Sequence, residues 1–164
     1  MKMLYEYLRN TVGFVNKYWS RRLTSLIFES SDYEDAKEFA RWQFKLSTAA
    51  GTKQETLRDQ LEVVWKTTGI KPPELEPPCE LNQLFYDAWR FFLDLHSCRS
   101  SNGFGVNSLS YSEIKAYFEL NQIEPFWYEI EAIKMFDSVF LDEFNKSQEK
   151  QRKQQESKSK TKVK

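Results

Sequence analysis

The sequence predicts an all-α protein: two small helical units of about three helices each, joined by a proline-rich linker and followed by a disordered basic tail. Apolar residues recur at three- and four-residue steps through most of the chain, which is the spacing of one helix face. Three stretches, SDYE, TKQE and SYSE, have the pattern of a helix capping box. The predicted boundaries are 1–70 for the N-terminal helical region, 71–80 for the linker, 81–144 for the C-terminal unit and 145–164 for the tail.

The N-terminal region is predicted to hold three helices. The first carries an apolar stripe at helical spacing: Leu4, Leu8, Val12, Val15, Trp19, Leu23 and Leu26. The second is predicted to begin at the capping box of residues 31–34, and the third at the capping box of residues 52–55. Gly69 lies where a helix end favours a left-handed residue, so the third helix is predicted to stop there.

The segment IKPPELEPPCE is the clearest boundary in the chain. Four prolines fall within residues 72–78, and because each lacks a backbone donor and fixes φ, this stretch is predicted to run extended. The C-terminal unit follows with an amphipathic helix from Leu81 to Leu95 and a helix begun by SYSE at residues 110–113. Pro125 opens a last helix, whose apolar stripe ends at Phe144.

The loop RSSNGFGVNSLS could be a phosphate-binding loop or a structural turn. It has two glycines, it follows a predicted helix and not a strand, and it carries no neighbouring lysine to reach a phosphate. Asn102-Gly103 is typical of a turn. We therefore predict that the loop sets the angle between two helices and presents Phe104.

Charge is distributed unevenly along the chain. Residues 1–144 contain 16 Lys or Arg and 22 Asp or Glu, whereas residues 145–164 contain 8 and 2. A basic tail can contact nucleic acid through phosphate charge alone, but this tail has no interleaved aromatic residues on which bases could stack. A small nucleic-acid-associated or regulatory helical protein that uses this tail is therefore the alternative function, and nucleic acid is not the favoured partner.

The composition also bears on the compartment. No run of apolar residues approaches the length of a membrane span, and the first residues lack the hydrophobic region of a secretory leader. Two cysteines are too few for a disulfide framework in a chain of 164 residues. We therefore expect no membrane association and a reducing, cytoplasmic setting.

No residue is predicted to be catalytic. Cys79, His96 and Cys98 are three possible metal ligands, but a structural zinc site needs four, usually in paired close spacings. Carboxylate pairs such as Asp142 and Glu143 fall on polar helix sides, where solvated surface is expected in place of acid–base chemistry. We predict a non-enzymatic protein with no metal and no cofactor.

Aromatic residues are abundant, with 13 Phe, 8 Tyr and 5 Trp. Some aromatic residues fall outside the main apolar stripe of their helix. About half of these are expected to pack into a wide core face between short helices. The others suit a surface for a protein partner, because Trp and Tyr dominate binding hot spots. The predicted partner-binding residues are Trp89, Phe91, Phe104, Tyr111, Trp127 and Tyr128.

Four stretches together resemble a known family. They are a helix followed by KPPELEPP, the SNGF turn, LSYSEIKAYFEL, and a final helix opened by Pro125-Phe126-Trp127. In this order they are similar to small tail proteins of long-tailed, siphovirus-type bacteriophages, which are taken as tail assembly chaperones encoded beside the tape measure protein. The resemblance covers roughly residues 52–144.

The resemblance implies a function in virus assembly. Such proteins coat the long helical tape measure protein, keep it soluble and help to recruit the major tail protein as the tube polymerises. They are not enzymes, and they leave the finished virion. The implied partners are the tape measure protein and the major tail protein, the implied location is the host cytoplasm, and association into homo-oligomers is left open.

Overall fold

The computed structural model describes residues 30–48, 55–100 and 105–161, with the side chains of residues 31–153 inside these ranges. The described residues form five α-helices: α1 (Ser30–Ser47), α2 (Leu57–Thr68), α3 (Tyr86–Ser97), α4 (Tyr111–Leu120) and α5 (Trp127–Thr161). Two short 3-10 turns, Pro73–Leu75 and Gln83–Phe85, lie between α2 and α3. The predicted all-α class is confirmed. The helix predicted around residues 4–26 falls outside the described residues.

The core lies where α1 and α3 pack against α5. Ala36 and Ala40 on α1 are fully enclosed, and their small side chains let α1 approach its neighbour closely. Aromatic rings fill the remaining space, as where Phe44 meets Phe140 with ring centroids 5.4 Å apart. One buried cluster draws on all of these elements: Ala36, Ala40, Leu81, Phe85, Ala88, Phe91, Phe92, Leu95, Leu109, Ile114, Phe118, Tyr128, Ala132, Ile133, Phe136 and Val139.

The proline-rich segment lies along α1. Its Leu75 is buried. Three hydrogen bonds join the segment and the residues after it to α1: Trp42 Nε1 to the Glu74 carbonyl (2.7 Å), Cys79 Sγ to the Asp35 carbonyl (3.1 Å) and Asn82 Nδ2 to Asp32 Oδ1 (3.0 Å). The segment is thus held against the helix at three points. The division of the chain into separate domains stays a prediction; in the described ranges, helices on both sides of this segment share one core.

Local signals account for both ends of α2. Thr56 is the N-cap: its hydroxyl accepts a hydrogen bond from the Asp59 N–H (3.2 Å), and its own N–H donates to the Asp59 carboxylate (2.8 Å). The start predicted at Thr52 is four residues too early, because Asp59 fills the position where the capping-box pattern has Glu or Gln. Gly69 ends the helix as predicted, in the left-handed region with φ of 72°.

The last helix, α5, continues to Thr161, beyond the end predicted near Phe144. The continuation has a local cause, because residues 145–161 are rich in Lys, Gln, Arg and Glu, which have high helix propensity, and contain no Gly or Pro. The side chains of residues 145–153 are exposed, apart from the half-buried Ser147. In the part of the chain that the structure describes, no helix combines the length and the hydrophobicity that a membrane crossing requires.

Candidate partner-binding groove

A buried ion pair fixes the loop between α3 and α4 to α5. The side chains of Arg99 and Asp137 are only 4% and 2% exposed, and the guanidinium donates directly to the carboxylate. The second carboxylate oxygen of Asp137 accepts a hydrogen bond from the Leu109 N–H (3.0 Å). Arg99 also donates to the Asn107 carbonyl (2.6 Å), and Lys134 Nζ donates to the Leu109 carbonyl (2.6 Å). The described part of the loop therefore sets where α4 begins relative to α5.

His96 supports this ion pair from the end of α3. Its Nδ1 accepts a hydrogen bond from Arg99 Nε (3.2 Å), so the imidazole is neutral and carries its proton on Nε2. Its ring lies 4.3 Å from the Phe140 ring and 5.5 Å from the Phe92 ring. Burial lowers the pKa of His96 and the charge of Arg99 lowers it further, while Asp137 acts in the opposite direction.

The predicted capping box at the start of α4 is confirmed. The Ser110 hydroxyl accepts a hydrogen bond from the Glu113 N–H (3.2 Å), and the Ser110 N–H donates to the Glu113 carboxylate (2.7 Å). These hydrogen bonds from Ser110 lower the pKa of Glu113. Leu109 and Ile114 flank the box and belong to the same buried cluster, which is the placement expected of a hydrophobic staple.

The end of α4 is a Schellman motif. The Ile123 N–H donates to the Phe118 carbonyl (3.0 Å), and the Gln122 N–H donates to the Glu119 carbonyl (3.2 Å). Gln122 adopts a φ of 55°, a left-handed conformation in which Gly is usual. Ile123 then turns back towards Phe118, and both pack in or against the buried cluster. The turn directs the chain from α4 into α5 and leaves a concave surface between them.

This concave surface is an apolar groove with a volume of about 580 Å³. Its apolar lining comes from α4, the turn and the start of α5: Tyr111, Ile114, Phe118, Ile123, Pro125 and Ile130. The charged and polar residues of the lining are Lys115, Glu119, Gln122 and Glu124. We call this surface the α4–α5 groove. An open apolar surface bordered by charges of both signs is suited to the apolar side of a helix.

Three of the six residues predicted to bind a partner pack in the core. Phe91 is 1% exposed and lies 5.1 Å from the Phe118 ring of α4. Trp89 is half-buried, with its ring 4.9 Å from the Phe136 ring of α5, and Tyr128 is 9% exposed. Because α3 is flanked by other helices on several sides, its residues outside the main stripe still meet a neighbour. Contact of these three residues with a partner stays a prediction.

The other three predicted residues differ from one another. Tyr111 is 68% exposed and lines the α4–α5 groove, with Lys134 Nζ 5.4 Å from its ring centre. Trp127 is half-buried at the start of α5, with its ring 6.0 Å from that of Tyr128. Phe104 lies outside the described residues. Tyr111 is thus the predicted residue that the structure brings to the groove.

Sequence reasoning missed several exposed apolar side chains. Leu120, at the end of α4 beside the groove residue Glu119, is 83% exposed. None of the residues of α2 is buried, and three of its apolar side chains are exposed: Val63, Val64 and Trp65. Ile70, two residues past the end of α2, is also exposed. Helical spacing could not have identified them, because the same spacing describes a face that is covered and a face that is not.

The three possible metal ligands are engaged separately. Cys79 donates to the Asp35 carbonyl on α1, whereas His96 accepts from Arg99. Cys98 is exposed just past the end of α3. Within the described ranges, no three of the His, Cys, Asp and Glu side chains are grouped so that they could hold a metal ion.

The region that contains the groove matches a known family. Residues 64–142 match the family described as phage tail assembly chaperone. The matched residues include the proline-rich segment, the buried ion pair, all of α4 and every residue of the groove. No curated protein and no solved structure gives a significant match to the chain. Over residues 64–142 the chain is therefore similar to the phage tail assembly chaperone family.

Proposed function

We propose that this protein is a non-enzymatic tail assembly chaperone that binds the tape measure protein in the host cytoplasm and supports growth of the tail tube. The family match of residues 64–142 supports the general role. The single observation that carries the binding site is the α4–α5 groove, because it joins an apolar lining to the exposed aromatic side chain of Tyr111. The major tail protein is the second proposed partner.

The groove suits the apolar stripe of an amphipathic client helix. Ile114 and Phe118 are 2% and 4% exposed and form a floor fixed by the core. Lys115 and Glu119 stand on the same helix, 74% and 66% exposed, with Nζ and Oε1 3.5 Å apart. Charged side chains that flank the stripe of a client helix can pair with either of them, while the apolar ridge enters the groove.

The expected affinity of a single groove is low. Burying one Leu or Phe side chain contributes about 1.5–3 kcal/mol before the costs of association, and a dissociation constant of 1 mM corresponds to about −4.1 kcal/mol. A groove that accepts one or two client side chains therefore binds at about the millimolar level. Weak binding at many sites along a long client keeps its apolar stripes covered and still allows release when the tail tube forms around it.

The test is co-expression with the tape measure protein of the same phage, followed by size-exclusion chromatography with light scattering. We expect a soluble complex that contains many copies of this chain per client. The double variant Tyr111→Ser/Leu120→Ser should give fewer bound copies or leave the client insoluble, because both side chains are exposed on or beside the groove. The control is Tyr86→Ser, which removes a 54% exposed tyrosine on α3 that does not line the groove.

Two results would contradict this proposal in different ways. If the client stays insoluble with the wild-type chain and the chain elutes alone, the chaperone function is wrong. If the complex forms but Tyr111→Ser/Leu120→Ser behaves like Tyr86→Ser, the function stands and the α4–α5 groove is not the client site.

A further inference from the structure

The turn after α4 carries a side chain at a position where glycine would be less strained. Gln122 has a φ of 55°, in the left-handed region that a residue with a Cβ rarely adopts. Glycine is the usual residue at this position of a Schellman motif, because it adopts the conformation without strain. The Gln122 side chain is exposed, so packing in the core does not explain its presence. Strain kept at such a position points to a function of the side chain.

Gln122 lines the α4–α5 groove together with Ile123 and Pro125 of the same turn. Its backbone N–H belongs to the turn and donates to the Glu119 carbonyl (3.2 Å). Its side-chain amide forms no hydrogen bond with another of the described residues. The amide therefore has both a donor and an acceptor available to a bound partner.

Glu124, two residues farther on, adds a negative charge to this end of the groove. It lines the groove, and its side chain is exposed. Lys115 and Glu119, the other charged residues of the lining, pair with each other, with Nζ and Oε1 3.5 Å apart. Glu124 has no ion pair in the ranges that the structure describes. The lining therefore carries an excess of one negative charge, and this charge lies at the turn.

The other end of the groove has a cation beside it. Lys134 Nζ lies 5.4 Å from the centre of the Tyr111 ring and donates to the Leu109 carbonyl (2.6 Å). Tyr111 begins α4, whereas Gln122 follows the end of the same helix. The two ends of the groove therefore differ in charge, with an ammonium group near Tyr111 and a carboxylate at the turn.

We propose that Gln122 and Glu124 determine which client segments the α4–α5 groove binds: amphipathic helices that carry Lys or Arg at one end of their apolar stripe. The inference rests on the proposed function, because it names the class of client segment for that same groove. The apolar stripe covers the floor of the groove, and the basic side chain donates to the Glu124 carboxylate and to the Gln122 amide oxygen. An acidic side chain at this place would meet a like charge, so helices of that kind bind less tightly.

The experiment compares two synthetic peptides by NMR titration of the full-length, isotope-labelled chain. Both peptides have the same amphipathic pattern of Leu and Ala, and they differ in having either Lys or Glu at both ends of the apolar stripe. Shifts of the Tyr111 and Ile123 amides report binding at the groove. We expect the wild type to bind the Lys peptide about fivefold more tightly than the Glu peptide, the effect expected of an exposed ion pair.

Two substitutions separate the carboxylate from the amide. Glu124→Lys should reverse the preference, whereas Glu80→Lys, which changes an exposed carboxylate outside the groove lining, should leave it unaltered. Gln122→Gly should weaken binding of the Lys peptide about threefold through the lost hydrogen bond, although it relieves the strained φ and raises the melting temperature. The control is Asn121→Gly, which removes the neighbouring amide outside the groove lining and should lower the melting temperature without changing peptide binding.

Different results would overturn the inference and the client site separately. If the two peptides bind the wild type equally, or if Glu124→Lys still prefers the Lys peptide, the selection by charge is wrong and the groove remains the client site. If Gln122→Gly binds the Lys peptide as the wild type does, the amide has no part in client binding and the proposal is overturned. If neither peptide shifts the groove amides, the α4–α5 groove is not the client site and this inference falls with it.

Discussion

The replacement Asp137→Asn tests whether the buried ion pair holds the α3–α4 loop on α5. The change keeps the shape of the side chain and removes its negative charge. Arg99 is 4% exposed and its guanidinium stays charged, so the variant leaves a buried cation without its counter-charge. The Leu109 N–H, which donates to the carboxylate at 3.0 Å, would meet a weaker acceptor.

The expected cost is large for a single substitution. Breaking a buried ion pair by removing one partner typically costs about 3–5 kcal/mol, against a total stability of about 5–15 kcal/mol for a domain. The free energy of unfolding should therefore fall by roughly a fifth or more. In the double variant Arg99→Met/Asp137→Leu no buried charge is left, but the Leu109 N–H and the Asn107 carbonyl lose these hydrogen bonds, so we expect it to regain only part of this loss.

Urea unfolding followed by circular dichroism measures these changes. The matched control is Glu119→Gln, which also neutralises one carboxylate of an ion pair, here the exposed pair with Lys115 (74% and 66% exposed). Exposed pairs contribute about 0–1 kcal/mol, so the control should differ little from the wild type. The reasoning is refuted if Asp137→Asn costs no more than Glu119→Gln.

Three further predictions concern α4 and the end of α3. Ser110→Ala should lower the free energy of unfolding by about 1 kcal/mol through the lost cap, and an unchanged urea midpoint would show that the cap does not matter. Gln122→Gly should raise the melting temperature by relieving a left-handed φ, whereas Asn121→Gly, at a φ of −85°, should lower it; equal effects would argue against strain. Because the folded-state pKa of His96 is lowered, the unfolded chain takes up the proton first, near its ordinary pKa of about 6.5. Stability should be full well above that pH and fall as the pH drops through about 6.5 towards the lowered folded-state pKa, and His96→Gln should remove this fall, since the chain has no other histidine.

The elements and their ends follow largely from local sequence. The box at Ser110 and Glu113 and the stop at Gly69 occur where they are predicted, because each depends on hydrogen bonds between residues three or four apart. The capping box of α2 was predicted at residues 52–55 but begins at Thr56, because Asp59 takes the place of the Glu or Gln that the pattern requires. The left-handed Gln122 could not be predicted, because the sequence has no glycine there and the surrounding turn imposes the conformation.

The residues of the candidate site were predicted only in part. Tyr111 reaches the α4–α5 groove, but Trp89 and Phe91 pack in the core although they leave the main stripe of α3. An amphipathic pattern shows which side of a helix is apolar, and it does not show how many neighbours that helix has. The groove itself needs the turn after α4 to bring Ile123 and Pro125 to the same surface as Tyr111.

The sequence by itself determined the all-α class, the capped start of α4 and the division between an acidic body and a basic end, since these depend on residue type and short spacing. Only the tertiary structure decided that the proline-rich segment lies along α1 and that Arg99 pairs with Asp137, 38 residues away. The physical reason is distance along the chain. A contact between remote residues forms when the packing of several helices brings them together, and no local pattern records that packing.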